Sequence, residues 1–255
     1  NYNTVVGDEA GTAITTGDDN TFIGYASGDA TTTAGGNTSV GSSAFSTNTT
    51  GADNVAIGEA ALLRNTTASN NTAVGNNALR ENTTGTENVA VGAGALTANT
   101  TGSYNHAFGR NAGAAITTGD TNIAIGNAAL GTATTADGNT AVGHSALSAN
   151  TSGSSNVGVG LNVLDANTTG ANNTAVGAAS LGANTTASSN TAVGKSALAA
   201  NTTGGNNTAV GLSALATNIS GNYNTALGYR ALTTTTAGNN TAVGHDALYL
   251  TTTGD

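Results

Sequence analysis

A five-residue unit of the form Asn-x-x-x-Gly recurs along this chain with an almost constant period. Its glycine falls at residue 7 and then every 17 residues as far as Gly228, and one interval of 16 residues leads to Gly244. The fifteen repeats share the consensus N-T-A-V-G-x-x-A-L-x-x-N-T-T-G-x-x, whose positions are numbered one to seventeen below. A disordered chain has no reason to keep such a register, whereas each coil of a solenoid stacks on the coil before it. We therefore expect a single repeat array over residues 1–255, and its uncapped ends predict a window of a longer protein.

The residues within one repeat favour strands over a helix. Each repeat carries glycine-rich columns at positions five and fifteen and is rich in Asn, Thr and Val. Asn, Thr and Gly are poor helix formers, and short β-branched runs between glycine corners are typical of strands. The predicted fold is all-β: a parallel β-solenoid of the β-roll type, with fifteen coils of 17 residues and two or three short strands per coil.

Two apolar columns are candidates for the core. Position four is Val, Ile, Leu or Phe in every repeat, and position nine is Leu in eleven repeats. Period-two alternation then places position two, mostly Thr, on the same inward side as position four. Gly11 and Gly113 at position nine coincide with Ile14 and Ile116 at position twelve, which predicts that these two positions border one cavity. The predicted core ladder is represented by Val6, Val74, Val142, Val210, Leu79, Leu147 and Leu215.

Two invariant polar columns predict how the coils stack. Position one is Asn throughout, and stacked amides form a ladder in which each donates to the next coil and accepts from the last. Position five is Gly throughout, which indicates a corner with positive φ. The ladder is represented by Asn71, Asn88, Asn139 and Asn190, and the corner by Gly75, Gly92, Gly143 and Gly194.

Position three predicts self-association if it points outward between positions two and four. It is Ala in eleven repeats and is never charged. A long stripe of small apolar residues on a surface is typical of an interface, and identical chains present identical stripes. The alternative is that neighbouring coils leave no room for a larger residue. The suspected interface is represented by Ala90, Ala124, Ala141 and Ala175.

The segment between positions twelve and seventeen contains two further signals. The 16-residue repeat, from Asn224 to Asn239, matches the consensus as far as Gly238, which places its missing residue at position sixteen or seventeen, an exposed corner. Nine Asn-x-Ser/Thr sequons run from Asn48 to Asn218 at positions twelve to fourteen. They are either glycosylation acceptors, in a host that glycosylates, or structural Asn-Thr turns.

The chain lacks the convergent groups that chemistry requires, so we expect no enzyme, cofactor or metal site. The net charge of -9 with five Lys and Arg excludes nucleic-acid binding, and the absence of Cys excludes thiolate ligands. No apolar run is long enough to span a membrane. His144 and His245 share position six but lie six coils apart, and His106 occupies position two. The acids of the variable corner are either solvated or form a loose cation stripe: Asp18, Asp19, Asp53, Glu87, Asp120 and Asp137.

The motifs Asn54-Val55-Ala56-Ile57-Gly58 and Asn122-Ile123-Ala124-Ile125-Gly126 resemble the core of YadA-like head repeats. Such repeats occur in trimeric autotransporter adhesins, and similar arrays occur in phage tail-fibre-like proteins. The resemblance extends over all fifteen repeats, although the coil here is longer. It implies a left-handed β-roll, a homotrimer of chains side by side, and adhesion to a host or environmental surface from an extracellular, cell-surface or virion fibre.

Three functions remain open from the sequence. The first is a non-enzymatic extracellular fibrous module, an adhesin head or a tail-fibre shaft. The second is a structural subunit of an extracellular filament or sheath that polymerises end to end. The third is an ice-binding protein, because position thirteen is Thr in all repeats but the one with Ile219 and position fourteen is mostly Thr.

Overall fold

The computed structural model describes residues 2–250, and that part of the chain is a parallel β-solenoid without helices. Each repeat contributes one strand of three residues, formed by positions two to four. The strands are β1 (Thr4–Val6), β2 (Thr21–Ile23), β3 (Thr38–Val40), β4 (Val55–Ile57), β5 (Thr72–Val74), β6 (Val89–Val91), β7 (His106–Phe108), β8 (Ile123–Ile125), β9 (Thr140–Val142), β10 (Val157–Val159), β11 (Thr174–Val176), β12 (Thr191–Val193), β13 (Thr208–Val210), β14 (Thr225–Leu227) and β15 (Thr241–Val243).

The chain divides into two compact units, Asn1–Ile125 with β1 to β8 and Gly126–Asp255 with β9 to β15. Within each unit the strands follow chain order and pair in parallel with equivalent positions side by side. Ala73 pairs with Ala90 in the first unit, and Ala175 pairs with Ala192 in the second. The all-β solenoid predicted from the period is thus confirmed, and the same 17-residue coil builds both units.

The rest of each coil consists of turns, which corrects the expectation of two or three strands per coil. Positions seven, nine and seventeen adopt positive φ in addition to the glycine at position five; Leu79, for example, has a φ of 49°. Three left-handed residues interrupt the extended backbone that strands require. Backbone hydrogen bonds still connect successive coils there, as from Leu79 N–H to the Ala95 carbonyl at 3.0 Å.

The side chains at position three point inward, and those at positions two and four point outward. The prediction that positions two and four face the core is therefore wrong. The predicted core residues Val74, Val142 and Val210 are only half-buried, and Val6 is exposed. The suspected interface residues are fully buried within their own chain: Ala90, Ala124, Ala141 and Ala175. The predicted core residues Leu79, Leu147 and Leu215 are buried as expected.

The reason for this direction is the space inside the coil. A Cβ built on Gly158 at position three would lie 3.1 Å from Val163 Cγ1 and 3.4 Å from Leu147 Cδ1. Position three therefore faces the leucine column and the side chain at position eight, and only a small residue fits between them. The alternative prediction for the alanine column, that neighbouring coils leave no room for a larger side chain, is therefore the correct one.

Compensating exchanges of volume confirm which positions share the core. Ile116 Cδ1 lies 3.1 Å from a Cβ built on Gly113, so position twelve does fill the space lost at position nine. Phe22 is fully buried at position three, and its ring lies 2.7 Å from a Cβ built on Gly28. Phe22 therefore replaces the missing leucine of its own coil. Positions three, eight, nine and twelve border one interior.

The 16-residue coil loses its residue from the Thr-Thr segment and not from the corner at positions sixteen and seventeen. Asn224 Nδ2 donates to the carbonyl of Ala237, as position-one asparagines elsewhere donate to position fifteen. Asn239 has the positive φ of position seventeen. The Thr235 hydroxyl accepts the Ala237 N–H at 3.2 Å, the role of Asn218 Oδ1 toward Gly221 in the preceding coil. The deletion thus falls at position thirteen or fourteen, where the backbone follows the surface and can shorten.

Candidate functional surface

The outward side chains of positions two and four form one continuous surface in each unit, called the sheet face below. Its position-four column is apolar in every repeat. Ten residues of that column are 36–65% exposed: Val6, Ile23, Ile57, Phe108, Ile125, Val159, Val176, Val193, Leu227 and Val243. Ile123 in the neighbouring position-two column is 37% exposed. Neither column contains Asp, Glu, Lys or Arg. An apolar surface that extends from coil to coil is unusual for the exterior of a monomer.

The geometry of the coil forces this surface outward. Each strand has only three residues, and its middle residue is held inside by the leucine column. Because side chains alternate along a strand, the two flanking residues must both face away from the core. The polar member of the pair is most often Thr, as in Thr174, and the apolar member is Val or Ile, as in Val176. The sheet face is therefore a row of hydroxyls beside a row of branched aliphatic side chains.

The asparagines at position one form the ladder that the sequence predicts, and they are buried. Asn88 Nδ2 donates to Asn71 Oδ1 at 3.2 Å and to the Gly102 carbonyl at 2.8 Å, and the Asn88 N–H donates to Asn71 Oδ1 at 3.0 Å. Asn139 and Asn190 make the equivalent bonds to Gly153 and Gly204. Where an amide-to-amide bond forms, as from Asn88 to Asn71, it runs toward the preceding coil, which is the reverse of the predicted direction. At Asn190 the backbone N–H makes the bond to the preceding Asn173 Oδ1.

A second ladder, at position twelve, is not anticipated from the sequence. Asn82 Nδ2 donates to Asn65 Oδ1 at 3.0 Å and to the Gly85 carbonyl at 2.9 Å. The position-fifteen carbonyl thus accepts bonds from both ladders, as Gly102 O accepts Asn88 Nδ2 and Asn99 Nδ2. The signal available in the sequence was the repeated Asn at position twelve, which Ile replaces only where Gly stands at position nine.

The glycines at position five occupy the predicted positive-φ corner. Their φ values are 138° at Gly75, 134° at Gly92, 136° at Gly143 and 133° at Gly194. A Cβ on Gly75 would lie 2.7 Å from the carbonyl carbon of Gly92 in the next coil. Glycine is therefore required both by the backbone conformation and by the close stacking of the corners.

The two threonine columns differ in exposure. The position-thirteen hydroxyl donates to the carbonyl of the same position in the next coil, as Thr83 Oγ1 does to Thr100 O at 2.9 Å. Position fourteen is exposed in every coil that keeps a hydroxyl there, among them Thr84 and Thr169. Hydroxyls that stabilise the stack and hydroxyls that face solvent thus alternate along the backbone.

The titratable groups do not converge on a catalytic arrangement in residues 2–250. His106 and His144 lie on different coils, and His245 stacks on the Tyr229 ring at a centroid distance of 4.8 Å. Burial raises the pKa of the Asp165 carboxyl, and the nearby Glu9 carboxylate raises the pKa of Tyr25. Within the same residues no group of three acidic, His or Cys side chains could hold a metal ion, the predicted corner acids included.

An aromatic cluster near the end of the described chain is missing from the sequence prediction. Arg230 lies over the ring of Tyr249, 4.1 Å from its centroid, and its guanidinium donates to the Tyr249 hydroxyl. Arg230 also pairs with Asp246 at 3.8 Å. Arg230 and Asp246 both occupy position seven, in coils fourteen and fifteen, whereas Tyr249 lies at position ten. Neither column is charged or aromatic in most repeats, so the sequence pattern does not predict these contacts.

In residues 2–250 no helix has the length and apolarity needed to cross a bilayer. No model of a known protein family matches the chain. No curated protein shows significant similarity to it. The sheet face, the buried ladders and the exposed corners are therefore the features of the chain that bear on its function.

Proposed function

We propose that this chain is a non-enzymatic fibrous module that associates side by side with further copies of itself through the sheet face. The observation that supports this most strongly is the exposed position-four column. Burying a fully exposed branched aliphatic side chain is worth about 1.5–3 kcal/mol. Because most position-four residues are already partly buried, each coil that pairs adds a favourable fraction of that amount. A surface with one apolar residue per coil is best matched by another surface of the same repeat, and identical chains provide one.

The proposed setting is extracellular, as an adhesin head or a tail-fibre shaft on a cell surface or a virion. The support is the resemblance to YadA-like head repeats, which also suggests three chains in the assembly. In this proposal the interface consists of positions two and four. The position-three alanines expected there from the sequence lie inside their own coil. The corner side chains away from the sheet face would then remain available to a host or environmental surface.

The test is a charged sheet face in three adjacent coils. The variant carries Val159→Glu, Val176→Lys and Val193→Glu, whose alternating signs avoid repulsion between neighbouring coils. The control places the same charges at exposed position fourteen of the same coils, as Thr169→Glu, Thr186→Lys and Thr203→Glu. Sedimentation velocity should show that the sheet-face variant is monomeric with an unchanged β-type circular dichroism spectrum, and that the control keeps the parent's mass. Equal masses for all three proteins would overturn the proposal.

Ice binding is the second candidate, and the geometry favours it at the sheet face and not at positions thirteen and fourteen. Thr at position two and Val or Ile at position four both point outward, so a flat row of hydroxyls lies beside a flat row of methyl groups. Coil spacing along the row is about 4.7–4.9 Å. A thermal-hysteresis measurement on the parent and on the charged sheet-face variant distinguishes the two: activity in the parent that the variant loses would support ice binding.

A further inference from the structure

The asparagines in N-glycosylation sequons fall into two classes with opposite environments. Nine lie at position twelve, and Asn37, in Asn37-Thr38-Ser39, lies at position one. Four more lie at position seventeen, where each begins an Asn-Asn-Thr sequence that continues into the next strand: Asn70, Asn172, Asn206 and Asn239. The first class is buried and the second is exposed.

A glycan on a buried sequon is incompatible with the coil. Asn167 has no exposed surface, and its Nδ2 donates to Asn150 Oδ1 at 2.9 Å and to the Gly170 carbonyl at 3.0 Å. Both amide hydrogens of Asn167 are thus used, and its neighbour Asn184 repeats the arrangement. A sugar on Nδ2 would remove one of these hydrogens and would require space that the interior does not have.

The corner sequons meet none of these obstacles. Asn172 occupies an exposed turn with a φ of 59°, and its backbone N–H is bonded to the Ser154 carbonyl at 3.1 Å. Its side chain projects from the variable corner, where the repeats tolerate Asp, Glu, Ser, Thr and Tyr. A bulky hydrophilic group at such a corner extends into solvent without displacing any core residue.

We propose that the folded chain accepts N-linked glycans only at Asn70, Asn172, Asn206 and Asn239, and that it must fold before an N-glycosylating enzyme reaches it. The transfer forms a bond between Nδ2 and the anomeric carbon of the sugar. The bond from that carbon to the phosphate oxygen of a lipid-linked pyrophosphate donor breaks, and the amide loses one proton. On an unfolded chain the ten buried asparagines are equally good acceptors, and each transfer there removes an element of the stack.

The experiment directs the whole chain into the endoplasmic reticulum of a eukaryotic cell, where the enzyme meets the chain unfolded. One variant removes the ten buried sequons. Ser39→Ala removes the sequon of Asn37, and Ala replaces the exposed position-fourteen residue of each of the nine others: Thr50, Thr67, Thr84, Thr101, Ser152, Thr169, Thr186, Thr203 and Ser220. Its matched control removes the four corner sequons by replacing Thr72, Thr174, Thr208 and Thr241 with Val, a residue that position two already carries at Val55. The readouts are protease resistance and the glycosylated asparagines found by mass spectrometry.

We expect the parent and the corner-sequon variant to be glycosylated at position twelve and protease-sensitive. The variant without buried sequons should be protease-resistant with at most four glycans, and blocking synthesis of the lipid-linked donor should restore resistance to the parent. A protease-resistant parent with glycans at position twelve would overturn the proposal. It is equally overturned if the parent stays protease-sensitive without the donor, because glycosylation is then not what prevents folding.

Discussion

At the scale of single residues, the direction in which each strand residue points decides the properties of the molecule. The consensus shows that side chains alternate along the strand. Alternation alone does not decide whether position three or positions two and four face the core. The larger side chain at position four suggests the core, and the structure shows the opposite because the leucine column already fills the interior next to position three. Bulk alone does not identify the inward side of a coil this narrow.

The adjacent residues Ala141 and Val142 test this direction directly. Ala141→Asp places a charge in the interior without a partner and should destabilise the fold by about 3–5 kcal/mol. Val142→Asp places the same charge on the sheet face. When both changes are made in the monomeric charged sheet-face variant, so that association contributes to neither, Val142→Asp should cost about 1 kcal/mol or less. Thermal unfolding in dilute solution, followed by circular dichroism, measures both; a larger loss for Val142→Asp would reverse the assignment.

The buried amides are the second test at this scale. Asn156→Ala removes bonds from Asn156 Nδ2 to Asn139 Oδ1 and to Gly170 O, and deprives the Asn173 N–H of its acceptor. Leaving buried polar groups unsatisfied costs about 1–3 kcal/mol each, so we expect a loss of several kcal/mol in denaturant unfolding. Asn127→Ala, at exposed position six, is the matched control and should be close to neutral. Similar midpoints for the two variants would show that the ladder contributes little.

At the scale of one coil, the sequence predicts corners better than it predicts strands. The invariant glycines correctly indicate positive φ at position five. The left-handed leucines at position nine carry no such signal, because only Gly11, Gly28 and Gly113 mark that column as unusual. These strained turns limit each coil to one strand, and stacking against neighbouring coils supplies the stabilisation that maintains them.

Two glycines of one coil differ in whether the backbone conformation requires glycine. Gly177 has a φ of 125°, and a Cβ there would lie 2.6 Å from the Gly194 carbonyl carbon. Gly177→Ala should therefore destabilise the coil by about 2 kcal/mol or more. Gly182→Ala meets its nearest atom at 3.4 Å and should be neutral within about 0.5 kcal/mol. Melting temperatures compare the pair, and equal values would remove the argument for the corner.

At the scale of the whole molecule, each unit combines a largely hydrogen-bonded interior with an apolar exterior. The side-chain amides of both ladders are buried and donate hydrogen bonds within the stack. The second ladder is interrupted at Ile116, where Asn99 Oδ1 is buried without a hydrogen-bond partner. The sheet face leaves an aliphatic column in water. The proposed association through that column would explain why an apolar residue recurs there in all fifteen repeats.

The features that the sequence predicts are those carried by one repeat position in every coil. The period, the solenoid, the first Asn ladder and the glycine corner follow from columns of identical residues. The aromatic contacts of Arg230 with Tyr249 do not, because they join different positions of two coils. The second ladder is not predicted from the sequence, because Asn followed by Thr is also typical of an exposed turn.

The most direct test of the account is the mass of the unaltered protein in solution, measured by sedimentation equilibrium over a range of concentrations. The account predicts a whole-number multiple of the chain mass of 24.3 kDa, and the resemblance to YadA-like heads makes three the expected number. A mass of one chain at every concentration would contradict it, because the sheet face would then be a stable exterior and not an interface.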